Sequence, residues 1–228
     1  MGSGTFGIKI DGVRMKIKII LTVILLLNSA VVLADDVKNI RNLYKNIDSL
    51  IKEDKSQKAL VYLELLEATN GSVWKRVKDS VSKQQFNKST IKNEVFIYNK
   101  KIIKIRQITE SKSGDWEDNR ELYFRENGRV AFVFQKLITF QAYDPTQEKS
   151  FPPGPYILEK RAYYDQNGDE IKLFVRAYVS STKKDIPVQS VHQINLKEYK
   201  SIQELPFLNL LQSSSFTNLF RILNDSTN

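Results

Sequence analysis

Two Asn-Gly pairs, Asn127-Gly128 and Asn167-Gly168, constrain the fold of this 228-residue chain more than any other feature. Each lies between runs rich in β-branched and aromatic residues. These are 120–125 and 129–140 around the first pair, and 156–164 and 171–179 around the second. Asn-Gly between apolar runs is the strongest short-range hairpin signal, because both residues tolerate positive φ. The stretches also align at an offset of 40: Tyr123-Phe124-Arg125-Glu126-Asn127-Gly128 falls on Tyr163-Tyr164-Asp165-Gln166-Asn167-Gly168, and Val133-Phe134 on Leu173-Phe174. Two copies are too few for a solenoid. They predict consecutive hairpins of one antiparallel meander.

The pattern around them extends that sheet. Residues 94–98 and 101–109 read as strands joined by the short turn Asn99-Lys100, and 189–196 as a last strand. The main sheet is therefore expected over 93–196, with six to eight strands. The polar link 111–115 and Pro152-Pro153-Gly154-Pro155 interrupt it. Residues 35–56 read as an amphipathic helix and its polar end. Ile40, Leu43, Tyr44, Ile47, Leu50 and Ile51 form one stripe, and Asp35 and Asp36 suit the positive end of the helix dipole. Residues 59–67 fit either helix or strand. The Asn70-Gly71 signal with Val73-Trp74 tilts the reading to a hairpin. Residues 78–92 are polar and loop-like. In the C-terminal segment 197–228, Phe216, Leu219, Phe220 and Leu223 have the spacing of a short helix. The expected class is α+β, an antiparallel meander with the N-terminal helix packed on one face.

Residues 15–34 read as a secretory signal peptide. Lys16 and Lys18 form a basic n-region, 19–27 an apolar h-region, and Val32-Leu33-Ala34 the end of a cleavage site. Thr22, Asn28 and Ser29 break the run, and its apolar core is short for a span of about 20 residues. The expectation is a periplasmic or secreted protein. The alternative is anchoring through an uncleaved segment, which would be its only contact with a membrane. Residues 1–14 read as an upstream mis-start, with Met15 the true start, or as residues appended by cloning. Cleavage after Ala34 leaves 35–228, a single domain of 194 residues with 31 basic and 25 acidic side chains, net +6. The basic residues are scattered, with no long block and no phosphate loop, which points away from nucleic acid. With no cysteine there are no disulfides, thiolate metal sites or cysteine nucleophiles.

Little else carries chemistry. His192 is the lone histidine, so it cannot supply a two-histidine metal site, and no Gly-x-Ser-x-Gly elbow exists to pair with it. Asp165, Asn167 and Asp169 alternate like a calcium loop, but Glu170 and Arg176 stand where glycine and glutamate are required. No cofactor, metal or catalytic residue is expected. Asp115, Glu117 and Asp118 cluster around Trp116. Paired carboxylates can hydrolyse glycosides, and a tryptophan among polar residues either stacks on a ligand or anchors its loop. The candidate contacts are Trp116, Tyr123 and Tyr163. Their ligand is read as an unspecified protein or glycan of the envelope.

Several motifs recur together: Ile40-Arg41-x-x-Tyr44-x-x-Ile47, the strand pair around Val95-Phe96-Ile97-Tyr98 and Ile102-Ile103-Lys104-Ile105, Gly114-Asp115-Trp116, Leu122-Tyr123-Phe124-x-x-Asn127-Gly128, and Arg161-x-Tyr163-Tyr164-x-x-Asn167-Gly168. Over residues 40–176 the chain resembles a loose group of uncharacterised exported bacterial proteins, with an N-terminal helix and tyrosine-rich Asn-Gly hairpins. The resemblance implies architecture and compartment and carries over no site. Two function classes remain as expectations: a non-catalytic binding domain, and a carboxylate-based hydrolase acting on a cell-wall or glycan substrate.

Overall fold

The computed structural model describes residues 36–66, 71–142, 154–191, 194 and 197–211. The signal segment, His192 and the helix expected over 216–223 lie outside the described residues. No helix among the described residues is long and apolar enough to cross a membrane.

Helix α1 (residues 36–52) is followed by β1 (Gln57–Leu66), β2 (Gly71–Arg76) and α2 (Ser80–Lys88). Strands β3 (Ile91–Tyr98), β4 (Lys101–Glu110), β5 (Trp116–Phe124) and β6 (Val130–Thr139) come next. Then follow β7 (Tyr156–Tyr164), β8 (Glu170–Val179) and β9 (Asp185–Ile186). These nine strands make one antiparallel sheet in the order β2-β1-β3-β4-β5-β6-β7-β8-β9. The expected α+β meander with its N-terminal helix is what the structure shows.

Three expectations change. The sheet reaches further in the N-terminal direction than 93. Strands β1 and β2 pair antiparallel, and β1 joins them to the sheet through β3, with Val61 opposite Asn93. Residues 78–92 are not all loop. Asp79 caps α2, its carboxylate accepting from the Ser82 amide at 2.7 Å while the Ser82 hydroxyl accepts from the Asp79 amide at 3.0 Å. That reciprocal capping box satisfies two orphan donors, which lets a polar segment form a helix. At the far end, residues 188–190 form a single 3-10 turn and Val191 an isolated bridge to Ala142, so no strand begins at 189; residues 192, 193, 195 and 196 of the expected last strand lie outside the described residues.

The two Asn-Gly turns repeat bond for bond. Arg125 N donates to Arg129 O at 2.8 Å and Gly128 N to Arg125 O at 3.0 Å. At the offset of 40, Asp165 N donates to Asp169 O at 2.9 Å and Gly168 N to Asp165 O at 3.3 Å. Only the glycines have positive φ, +78° and +90°. These are therefore longer turns with a glycine bulge rather than two-residue turns with both residues left-handed. The two-residue turn with both φ positive is Asn99-Lys100, at 47° and 62°.

Side-chain alternation gives the sheet two different faces. On the helix face, Val37, Ile40 and Ile47 of α1 cover Tyr123, Phe132 and Tyr163. The far face carries two separate apolar clusters. One gathers Val95, Ile105, Leu122 and Val130 under Ile202, Leu205 and Phe207. The other gathers Leu137, Leu158, Ala177 and Val179 under Val191.

Candidate functional site

The boundary between the far-face clusters is polar. Strand register sets Asn93, Gln107, Arg120, Gln135 and Lys160 in one row across β3 to β7, each opposite the next. Asp118 and Thr109, also paired, lie one step further along the same face. Asp118 accepts from Gln135 Nε2 at 2.6 Å, and its other oxygen stands 3.6 Å from Arg120 Nε. Burial holds the Asp118 carboxyl above the usual range, although Gln135 and Arg120 pull the other way. Chain segment 197–199 crosses the row. Arg120 Nη1 donates to Lys197 O at 3.0 Å, and Lys160 pairs with Glu198 at 2.9 Å, which holds the Glu198 carboxyl low. Asn93, Asp118 and Arg120 are buried beneath this cover. The row is an internal tether rather than an open site.

The open site lies on the helix face, beside α1 and along β7 and β8. Register places Arg161 of β7 opposite Phe174 of β8, and Glu159 opposite Arg176. Arg161 and Arg176, with Arg41 from α1, line a cleft of about 340 Å³ together with Glu159, Tyr163, Phe174 and Val175. Each guanidinium stands over a ring: Arg41 over Tyr163 at 5.8 Å, Arg161 over Phe134 at 5.7 Å and Arg176 over Tyr178 at 5.0 Å. Stacking on a ring face orients a guanidinium and leaves donors along its edge, of which Arg41 gives one to the Tyr163 side chain. Two carboxylates temper the charge. Glu159 lies 3.8 Å from Arg161 and accepts from the Tyr178 hydroxyl at 2.8 Å, and Asp185 takes Arg176 at 2.7 Å. Three cations still meet one carboxylate inside the cleft, an arrangement suited to anionic oxygens in the two-pronged geometry that arginine offers. In a larger cavity of about 700 Å³ beside β2 and α2, Lys75 is paired to Glu64 and Asp79 is committed to the α2 cap.

The candidate contacts read from sequence fall elsewhere. Tyr123 and Tyr163 are 2% and 3% exposed. They form an aromatic row with Phe132 between them, and Tyr44 of α1 stacks on Phe132 at 4.7 Å. In this arrangement both are mostly core, and Tyr163 also lines the cleft, beneath Arg41. Trp116 is partly buried against the second far-face cluster. The exposed aromatic at that end is Phe140, 62% accessible, whose amide donates to Asp115 O at 3.1 Å. The carboxylates around Trp116 do not converge. Glu117 and Asp118 are consecutive strand residues and so lie on opposite faces, while Asp115 sits exposed before the strand. No group of three or more potential metal ligands occurs among the described residues.

Comparison of the chain with family models, with curated proteins and with solved structures gives no match.

Proposed function

We propose that this chain is an exported bacterial protein whose folded domain binds rather than catalyses, receiving an anionic partner in the cleft between α1 and β8. One observation carries this reading: three ring-stacked arginines, from α1, β7 and β8, line a single open cleft. Its volume is in the range of ligand pockets, and arginine is the side chain best shaped to hold carboxylates or phosphates. The hydrolase alternative draws less support, because its two consecutive carboxylates face opposite ways. Export rests on the n-region, h-region and Ala34 of the sequence. The resemblance to exported proteins with Asn-Gly hairpins points the same way.

The test is titration of the mature chain with poly-L-glutamate and with polygalacturonate, using neutral dextran as control. Binding of at least one polyanion, weakened at least tenfold in Arg161→Ala/Arg176→Ala while the far-ultraviolet spectrum is unchanged, is the expected result. Equal binding by the variant would remove the cleft from consideration.

A further inference from the structure

We infer that the outer edge of β8 takes up an extended acidic peptide as an added strand. This rests on the anion-binding reading of the cleft and names the class of its partner. The argument starts from burial. Three consecutive large apolar residues, Leu173, Phe174 and Val175, are 44%, 43% and 39% exposed. They lie in an edge strand, where an exposed apolar run is a template for pairing with another chain. The opposite edge of the sheet is guarded. Strand β2 has six residues, carries Lys75 and Arg76, and is backed by Phe207 against Trp74.

The backbone of β8 is open where its side chains are. Strand β9 pairs only with Ala177 and Tyr178. Val179 exchanges bonds with the following turn, donating to Lys184 O at 2.9 Å and accepting from Lys183 N at 2.8 Å. Its N–H and C=O therefore point away from β7. In a strand this orientation repeats every second residue, so Val175 and Leu173 also turn their N–H and C=O outward. No described residue pairs with them there. An added strand would meet a backbone ladder, alternating apolar side chains on both faces, and the cations Lys172, Arg176 and Arg161 beside it. That combination is the physics of peptide recognition by strand addition, and the charges select an acidic peptide.

A second copy of the chain fits this edge worse. Twofold pairing centred on Phe174 sets Lys172 opposite Arg176 of the other copy twice, and like charges directly opposite are destabilising. Centring on Leu173 runs the ladder into the register shift at Tyr163 and Tyr164, which skips Ile171.

The probe is a fluorescein-labelled, end-blocked octapeptide of alternating threonine and glutamate, titrated with the mature chain. Its control is the same peptide with its four central nitrogens methylated, which keeps the charge and removes the ladder donors. Binding of the first at least tenfold tighter than the second supports strand addition. A comparable loss is expected in Val175→Pro, since proline deletes an outward N–H and leaves the β7 ladder intact. If that variant does not fold, the methylated peptide still decides. Equal binding of both peptides, weakened by Arg161→Ala, overturns strand addition and leaves the anion-binding reading standing. Absence of binding by both octapeptides and by poly-L-glutamate and polygalacturonate removes both. Sedimentation as a dimer that Val175→Pro converts to a monomer would assign the edge to a second copy instead.

Discussion

Lys104→Met tests how α1 is held on the sheet. Lys104 Nζ lies 2.9 Å from Asp48 Oδ1 of α1, 3.1 Å from Glu121 and 2.6 Å from the Tyr123 hydroxyl. The same hydroxyl lies 2.9 Å from Asp48 Oδ1 and 2.8 Å from Glu121. One hydroxyl proton cannot serve two carboxylates, so the ammonium is what lets Asp48 and Glu121 share a site. Burial, followed by the two carboxylates, keeps the hydroxyl firmly protonated. Methionine keeps the buried stem and deletes the charge. A lost hydrogen bond to a charged group costs ~1.5–3 kcal/mol. The Asp48 side chain is 47% exposed and can turn to water, so the lower half of that range applies, about 2 kcal/mol. At a urea dependence of roughly 2 kcal/mol per molar, the midpoint of denaturation is expected to fall by about 1 M. Tyr123→Phe, made alone and with Lys104→Met, should give a coupling energy of at least about 1 kcal/mol. A midpoint shift below about 0.2 M, or strictly additive variants, would refute the argument that these four groups form one network.

Gly128→Val and Gly168→Val are each expected to cost ~1–3 kcal/mol by strain at positive φ, and unchanged melting of both would contradict the turn geometry. The costs at the two sites should be similar, because an added Cβ meets only ordinary contacts, Ile202 Cδ1 at 3.4 Å in one turn and Arg129 Nη1 at 3.6 Å in the other. Trp116→Ala should lose ~2–3 kcal/mol by emptying a partly buried site in the second far-face cluster, with polyanion binding unaltered; loss of binding at unchanged stability would restore Trp116 as a contact. Asp118 is held above its ordinary value of about 3.9, so its contribution to stability is complete below that pH and is lost as pH rises through the folded value. The stability of Asp118→Asn relative to the unaltered protein should therefore rise with pH over that window, and a flat difference from pH 4 to 7 would count against the assigned direction. Mass spectrometry of the protein exported from a bacterial host should find an N-terminus at Asp35 or within a few residues, whereas intact chains from Met15 in the cytosol would exclude export with cleavage.

The hairpins and α1 were legible because their signals are local. Period-2 alternation beside Asn127-Gly128 and Asn167-Gly168 fixes which strands are neighbours, and the stripe from Ile40 to Ile51 fixes a helix. Helix α2 was missed because its stability comes from one reciprocal cap at Asp79 and Ser82, not from an apolar stripe; Phe86 is its one buried residue. The link from β1 to β3 is non-local, spanning α2, and nothing in either strand names the other. The cleft was half legible. Arg161 and Tyr163 share a face of β7, Phe174 and Arg176 share a face of β8, and the turn joins these strands. A one-residue shift between Tyr163 and Tyr164 still had to be known before Arg161 could be set opposite Phe174. Arg41 enters only through the tertiary placement of α1. The tyrosines could not be sorted from sequence because aromatic content marks core and contact surface alike; Tyr123 is buried, and Tyr163 is buried yet lines the cleft. Coverage by Tyr44 and Ile47, which decides between them, is a property of the assembled layers.

The polar row explains why the far face holds two clusters instead of one. Apolar contact is non-directional, so a purely apolar far face would let the segment after Ser190 settle in several registers. The bond from Arg120 to Lys197 O and the pair between Lys160 and Glu198 select one. That selection is costly. The Asn93 amide, Asp118 Oδ2 and the Ser190 hydroxyl are buried without a hydrogen bond, Asp118 Oδ2 keeping only its longer ion pair to Arg120, at ~1–3 kcal/mol for each unbonded group. Residues 197–199 are thus specifically placed yet weakly favoured, whereas α1 is held by both an apolar stripe and the Lys104 network. The two covers of the sheet differ in kind. On the proposed reading, the uncovered strip beside α1, with its three arginines and the open edge of β8, meets a partner without first removing part of the fold, which the covered far face could not do.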